Sequence, residues 1–212
     1  MSHCADVQAV DWLRYEREAA QQGYSLICGV DEAGRGPLAG PVFAAAVILP
    51  QGCIIEGVRD SKKISEKKRE TLFESITAQA EAWGVGFATE QEIDALNILQ
   101  ATFLAMRRAV ERLAIMPQLA LVDGNQKPPL PMETHTIVRG DGCCESVAAA
   151  SILAKVSRDR LMRQIDAQYP QYGFAKHKGY GTAAHCAALR EYGPCPVHRR
   201  TFLKKILGGQ DG

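Results

Sequence analysis

Residues Gly29–Pro41 read G-V-D-E-A-G-R-G-P-L-A-G-P. An apolar run, Leu26–Val30, stops at two adjacent carboxylates, Asp31 and Glu32. Gly34, Arg35, Gly36 and Gly40 follow, and then a second apolar run, Val42–Leu49. Two acids at the end of a buried strand work against stability, because buried charge is costly unless it is paired or metal-bound. Glycines let the backbone take positive φ and approach a ligand closely. An acid pair beside a glycine-and-arginine loop points to a cation meeting a phosphate.

Working outward, the two apolar runs read as strands joined through the glycine loop. Upstream, the spacing predicts a short amphipathic helix over Val7–Gln22. Downstream, Arg59–Lys63 is a polar loop, and Ser65 is a candidate cap for a helix reaching Gln79. Trp83–Thr89 reads as a strand. A single helix is expected over Glu90–Leu113, with Leu96, Leu99, Phe103, Met106, Val110 and Leu113 in a three-and-four stripe. Leu119–Val122 is a short buried strand ending at Asp123, and Thr134–Val138 a strand ending before Gly140 and Asp141. A long helix is predicted over Cys144–Gln168, then a glycine-rich basic tail with one short helix from about Thr182. Strands mixed with helices in this way indicate an α/β domain with a C-terminal helical appendage.

With 212 residues, 46% hydrophobic and 23% charged, the chain can bury a sizeable core and is not of disordered composition. No apolar run reaches the roughly 18 residues of a membrane span, and the polar N-terminus shows no signal-peptide core, so a cytoplasmic location is expected. The seven cysteines lack any C-x-x-C spacing, which argues against a disulfide framework or a paired zinc knuckle. A formal charge of +1 conceals local bias. Arg59–Arg69 holds six basic and two acidic residues (+4), and Lys176–Lys205 seven basic and one acidic (+6). Such patches suit either a polyanion partner or a solvated face.

Three predicted strands lead into acids: Asp31 and Glu32, then Asp123, then Asp141. Ligands of open α/β sheets gather at the carboxyl ends of strands. Carboxylates suit Mg²⁺ or Mn²⁺, and two such ions ~3.5–4 Å apart support in-line phosphodiester cleavage. Plainer roles compete, since Asp141 suits a helix cap and Asp123-Gly124 a turn. In the long helix, Ser151, Lys155 and Arg158 fall on one face, and Lys155 is placed to neutralise an acid or to meet a phosphate.

Seven motifs run in order: G-V-D-E-A-G-R-G-P-L-A-G-P-V, D-S-K-K-I-S, L-V-D-G-N, V-R-G-D, A-A-S-I-L-A-K-V-S-R-D, Y-G-F-A-K-H-K-G-Y-G-T and H-R-R-T-F. Together, from about Ile27 to Phe202, they strongly resemble bacterial type 2 ribonuclease H (ribonuclease HII). The resemblance implies a ribonuclease-H-like mixed sheet flanked by helices, with a catalytic core over residues 1–165 and a C-terminal helical extension over 166–212 in one compact unit. It implies an endoribonuclease that cuts the RNA strand of RNA–DNA hybrids and duplex DNA 5′ to single embedded ribonucleotides. Such cuts leave 5′-phosphate and 3′-hydroxyl ends and serve to remove misincorporated ribonucleotides and RNA primers.

By the same resemblance Asp31, Glu32, Asp123 and Asp141 hold Mn²⁺ or Mg²⁺ and are catalytic. Gly34, Arg35 and Gly36 match the element whose backbone meets the 2′-hydroxyl, the group that separates RNA from DNA. Tyr180 matches the tyrosine that packs on the following deoxynucleotide. Ser61, Lys62 and Lys63 resemble a phosphate-contacting loop, and Lys155 and Arg199 are further expected substrate contacts. No glutamine-led sliding-clamp box is present, and a monomer is expected. Cys143-Cys144, the segment before Tyr24 and the tail after Phe202 match no motif. Competing readings are another metal nuclease of this fold, a hybrid-binding module without catalysis, or a zinc protein built on Cys186, Cys195 and His198.

Overall fold

The computed structural model describes residues 10–58 and 64–207. Ser61, Lys62 and Lys63, expected to contact phosphate, lie outside the described residues. A five-stranded mixed sheet in the order β3-β2-β1-β4-β5 forms the frame. Its strands are β1 (Ile27–Ala33), β2 (Val42–Ile48), β3 (Ala82–Ala88), β4 (Leu119–Asp123) and β5 (Glu133–Ile137). The first three pair antiparallel, while β1–β4 and β4–β5 pair parallel. Every residue of β2 is buried, as a central strand covered on both faces requires.

Helices cover the two faces. On one lies α4 (Ile98–Glu111), where Ala101, Ala105 and Ala109 meet Val30, Val42 and Ala44. On the other lies α5 (Glu145–Gln168), where Ala148–Ala150, Ile152 and Leu153 meet Ala45 and Val47. Around them stand α1 (Arg14–Gln21), α2 (Glu66–Gln79), α3 (Glu90–Leu96), α6 (Phe174–His177), α7 (Ala183–Tyr192) and α8 (Arg200–Leu207). The small side chains of α5 let the helix lie close to the sheet. At Gly29 the approach is so close that a Cβ would overlap the Ser146–Val147 backbone. Among the described residues no helix is long and apolar enough to cross a membrane.

Three differences from the sequence reading have physical causes. The first strand runs on through Ala33, because Asp31 and Glu32 stay in register with Ala45 and Ala44 of β2. The acids therefore belong to the strand and do not follow it. The single helix expected over Glu90–Leu113 is two, broken at Asn97 (φ 72°), whose side chain accepts from Leu99 N at 3.0 Å and Gln100 N at 3.2 Å to cap α4. Asparagine tolerates positive φ and caps well, and the break leaves Leu96 43% exposed outside the core stripe. Thirdly, α6 and α8 add to the single late helix expected from Thr182. That helix is α7, capped by the Thr182 side chain.

The far half of α5 carries Met162 and Ile165 into a smaller apolar cluster with Ala39, Tyr172, Phe174, Leu189 and Leu203. One continuous helix thus joins the sheet to the C-terminal elements. Gly29→Ala should destabilise the fold by about 1–3 kcal/mol through overpacking, lowering the melting temperature by roughly 2–4 °C per kcal/mol. Thermal unfolding of the variant checks this.

Candidate active site

The parallel pairing of β1 with β4 puts Val30 opposite Val122, so the next residues, Asp31 and Asp123, emerge side by side. Beyond β5 a short 3₁₀ turn, Gly140–Gly142, carries Asp141. Gly140 N donates to Asp123 Oδ1 at 2.6 Å, which ties that turn to the end of β4. Asp31, Glu32, Asp123 and Asp141 line one cavity of about 420 Å³, shared with Gly34, Arg69, Ser151, Lys155 and Tyr180. The four acids that the sequence singles out are brought together.

Their environment is electrostatically unfavourable. Asp31 is 5% exposed. Burial raises its pKa well above the usual carboxylate range, and the charges of Glu32 and Asp123 add to the rise. The Glu32 N–H (2.7 Å) and the Ser151 hydroxyl oppose it only in part. Burial likewise raises Glu32, while Arg35, donating at 3.1 Å, pulls it down. An all-carboxylate donor set with this mutual repulsion fits a hard divalent cation. Among the described residues no three His, Cys, Asp or Glu side chains form a ready cage for an ion.

The remaining candidates divide. Gly34 takes φ +95°, and a Cβ there would overlap the Arg158 side chain. Tyr180 is 46% exposed, and its ring stands against Gly36, 3.7 Å from where a Cβ would be. Lys155 sits at the cavity edge and donates to Asp159 at 2.7 Å. Arg69, which the sequence marks only as part of a basic run, also lines the cavity.

Two arginines depart from expectation. Arg158 does not share the cavity face with Ser151 and Lys155. It is buried and donates to the carbonyls of Pro41 (3.0 Å), Lys178 (2.9 Å) and Ala39 (3.0 Å). Arg199, expected to touch substrate, has 0% exposure. Its donors go to the carbonyls of Gly40 (2.9 Å), Arg35 (2.9 Å) and Gly34 (2.6 Å), so it braces the loop from inside and does not reach a phosphate. Only its place in the H-R-R-T-F motif marked it, and nothing local signals burial.

Behind Tyr180 lies a relay of histidines. A carbonyl only accepts, so His185 Nδ1 carries the proton shared with Tyr180 O at 2.9 Å. Its Nε2 then accepts from His198 Nε2 at 3.1 Å, and His198 Nδ1 accepts from Cys195 N at 3.0 Å. His177 stacks on His185 at 4.5 Å and donates from Nε2 to Tyr172 O at 2.8 Å. These bonds hold Cys195 and His198 in structural roles. Among the described residues no zinc-type cluster forms with Cys186.

A family model for ribonuclease HII matches residues 28–205. The chain belongs to the ribonuclease HII family. It is 58% identical over 190 residues to ribonuclease HII of Syntrophotalea carbinolica, covering 90% of this chain and 91% of that protein. The enzyme of Caldicellulosiruptor saccharolyticus is 53% identical over 197 residues, covering 93% and 96%. Among solved structures, ribonuclease H2 of Pyrococcus horikoshii superposes with a TM-score of 0.71 at 30% identity, covering 85% of this chain and 96% of that one. The mixed sheet flanked by helices is therefore the ribonuclease HII fold, and the chain is an endoribonuclease hydrolase.

The relay is expected to lose stability in acid. A second proton on His185 or His198 would set two donors face to face. Burial, followed by the neighbouring His185, lowers His198 from 6.5 to about 4, and burial lowers His185. Depressed histidines favour the fold above their unfolded pKa of 6.5, and that contribution is lost as pH falls from 6.5 towards about 4. Melting temperature should drop through that window. In His198→Asn, which keeps an acceptor for Cys195 N, it should start lower and vary less with pH.

Proposed function

We propose that this protein cleaves the RNA strand of RNA–DNA hybrids and cuts duplex DNA 5′ to a single embedded ribonucleotide, leaving 5′-phosphate and 3′-hydroxyl ends. The observation that carries this reading is one cavity lined by four carboxylates, Gly34 and the exposed Tyr180, whose ring stands against Gly36. Asp31, Glu32, Asp123 and Asp141 are the residues to hold Mn²⁺ or Mg²⁺. A divalent ion bound there would lower the pKa of a water and stabilise charge on the leaving oxygen.

The chain's own groups supply the rest. Backbone amides of Gly34–Gly36 face the 2′-hydroxyl, and Tyr180 stacks on the nucleotide that follows it. Lys155 and Arg69, at the cavity edge, draw in the phosphate strand, joined by Ser61, Lys62 and Lys63. Residues 1–165 act as the catalytic core, while 166–212 carry Tyr180 and complete the substrate groove. The enzyme works as a monomer in the cytoplasm, where its six described cysteines remain free thiols, to remove misincorporated ribonucleotides and RNA primers.

A duplex carrying one ribonucleotide tests the reading: with Mn²⁺ a single cut 5′ to that residue is expected, and an uncut duplex would refute it. Asp123→Asn keeps the oxygen that accepts from Gly140 N, so it should retain the fold yet lose cleavage on the same substrate. Tyr180→Ala should lower kcat/KM at the single ribonucleotide by about tenfold or more, the worth of one lost stacking contact. Its melting temperature should move by no more than about 2 °C, as for other exposed substitutions.

A further inference from the structure

Two cations lie under the glycine loop with every guanidinium nitrogen turned to a backbone carbonyl. Arg158 reaches Pro41, Ala39 and Lys178, and Arg199 reaches Gly40, Arg35 and Gly34. Both side chains are almost wholly buried. Burial lowers both guanidinium groups, Arg199 also bears the charge of Arg158, and the carboxylate of Glu90 offsets each only in part. Burying two cations so close together is a poor way to stabilise a fold. What arginine offers, and lysine does not, is a planar fork that fixes several acceptors at once.

The choice of acceptors has a geometric result. In a trans peptide the C=O of one residue and the N–H of the next point in opposite directions. Arg199 draws the carbonyls of Gly34 and Arg35 inward, so the N–H groups of Arg35 and Gly36 turn outward. Successive N–H groups pointing the same way form a small electropositive concavity suited to an oxygen acceptor. The Tyr180 ring stands against Gly36. Arg158, through Lys178 O, ties the tyrosine segment to the same loop.

We propose that Arg199 is a positioning residue for ribonucleotide specificity: by holding the Gly34 and Arg35 carbonyls it keeps two loop amides aimed outward as a fixed pair of donors to the 2′-oxygen. This rests on the reading of the loop given under Proposed function. Arg199 touches no substrate atom itself. A lysine in its place keeps the charge but cannot hold Gly34, Arg35 and Gly40 together, so the amides lose their common direction.

The test compares kcat/KM for a 2′-hydroxyl and a 2′-fluoro nucleotide at the same position of one duplex. The wild-type enzyme should favour the hydroxyl, and Arg199→Lys should reduce that preference about tenfold or more, since an aimed donor is worth at least that. Val110→Ala, on α4 at the sheet face opposite α5, is the control for stability alone and should keep the preference even where its melting temperature falls as far. An unchanged preference in Arg199→Lys, or an equal loss in Val110→Ala, overturns the proposal. Should Arg199→Lys not fold, amide exchange in the wild-type protein decides: Arg35 and Gly36 amides should exchange freely alone and slow on binding the ribonucleotide duplex without metal, but not the fluoro duplex. Slowing with both duplexes, or with neither, overturns it too. A wild-type enzyme that fails to cut at a ribonucleotide would sink the underlying reading instead.

Discussion

Two parallel strands run side by side, and each carries carboxylates near its end. From this constraint the rest of the structure follows. The β1–β4 register sets Asp31 beside Asp123, and the small residues of α5 close over one side so that Asp31 has almost no water around it. Burial and like charge then act together on the same oxygens. A set with fewer buried charges would have been more stable. The cation and phosphate proposed for this site would offset that cost.

The glycine loop shows the opposite arrangement a few residues away. Acids crowd one end of β1, and two buried cations lie under the chain that follows it. Arg35 links the two regions through its ion pair with Glu32. The loop is thus a rigid rim held from below by guanidinium groups, in spite of its glycines. Gly34 and Gly40 are needed because Arg158 and Met162 occupy the space where a Cβ would project. Rigidity matters at such a rim, because a donor misplaced by about an ångström loses most of its worth in catalysis. The histidine relay extends the same principle to the Tyr180 segment, whose carbonyl is held by His185.

Much of this was legible in the sequence, because its signals were local. Ser65 caps α2 by accepting from Lys68 N, as its position before a polar helical start suggested. The acids at strand ends converged because parallel strands deliver their ends to one edge. Other features depend on tertiary contacts. The stripe of Leu96, Leu99 and Phe103 keeps its period across Asn97, so nothing in the spacing betrays the break there. Arginine is usually a surface residue, and no periodicity distinguishes Arg158 and Arg199 from exposed neighbours such as Arg200. Their burial depends on six carbonyls drawn from distant positions. The histidine wiring is equally invisible, since His177, His185 and His198 meet only after α6, α7 and the turn before α8 have packed.

The central claim is that the acid cluster lowers the stability of the empty fold and is kept for a bound cation. Thermal unfolding of Asp31→Asn beside the wild-type protein, at neutral pH in chelator and again with Mn²⁺, tests it most directly. The variant should melt above the wild type in chelator, because one buried repelling charge is gone, and should gain less from Mn²⁺. A variant that melts below the wild type in chelator, or gains as much from Mn²⁺, would contradict the account.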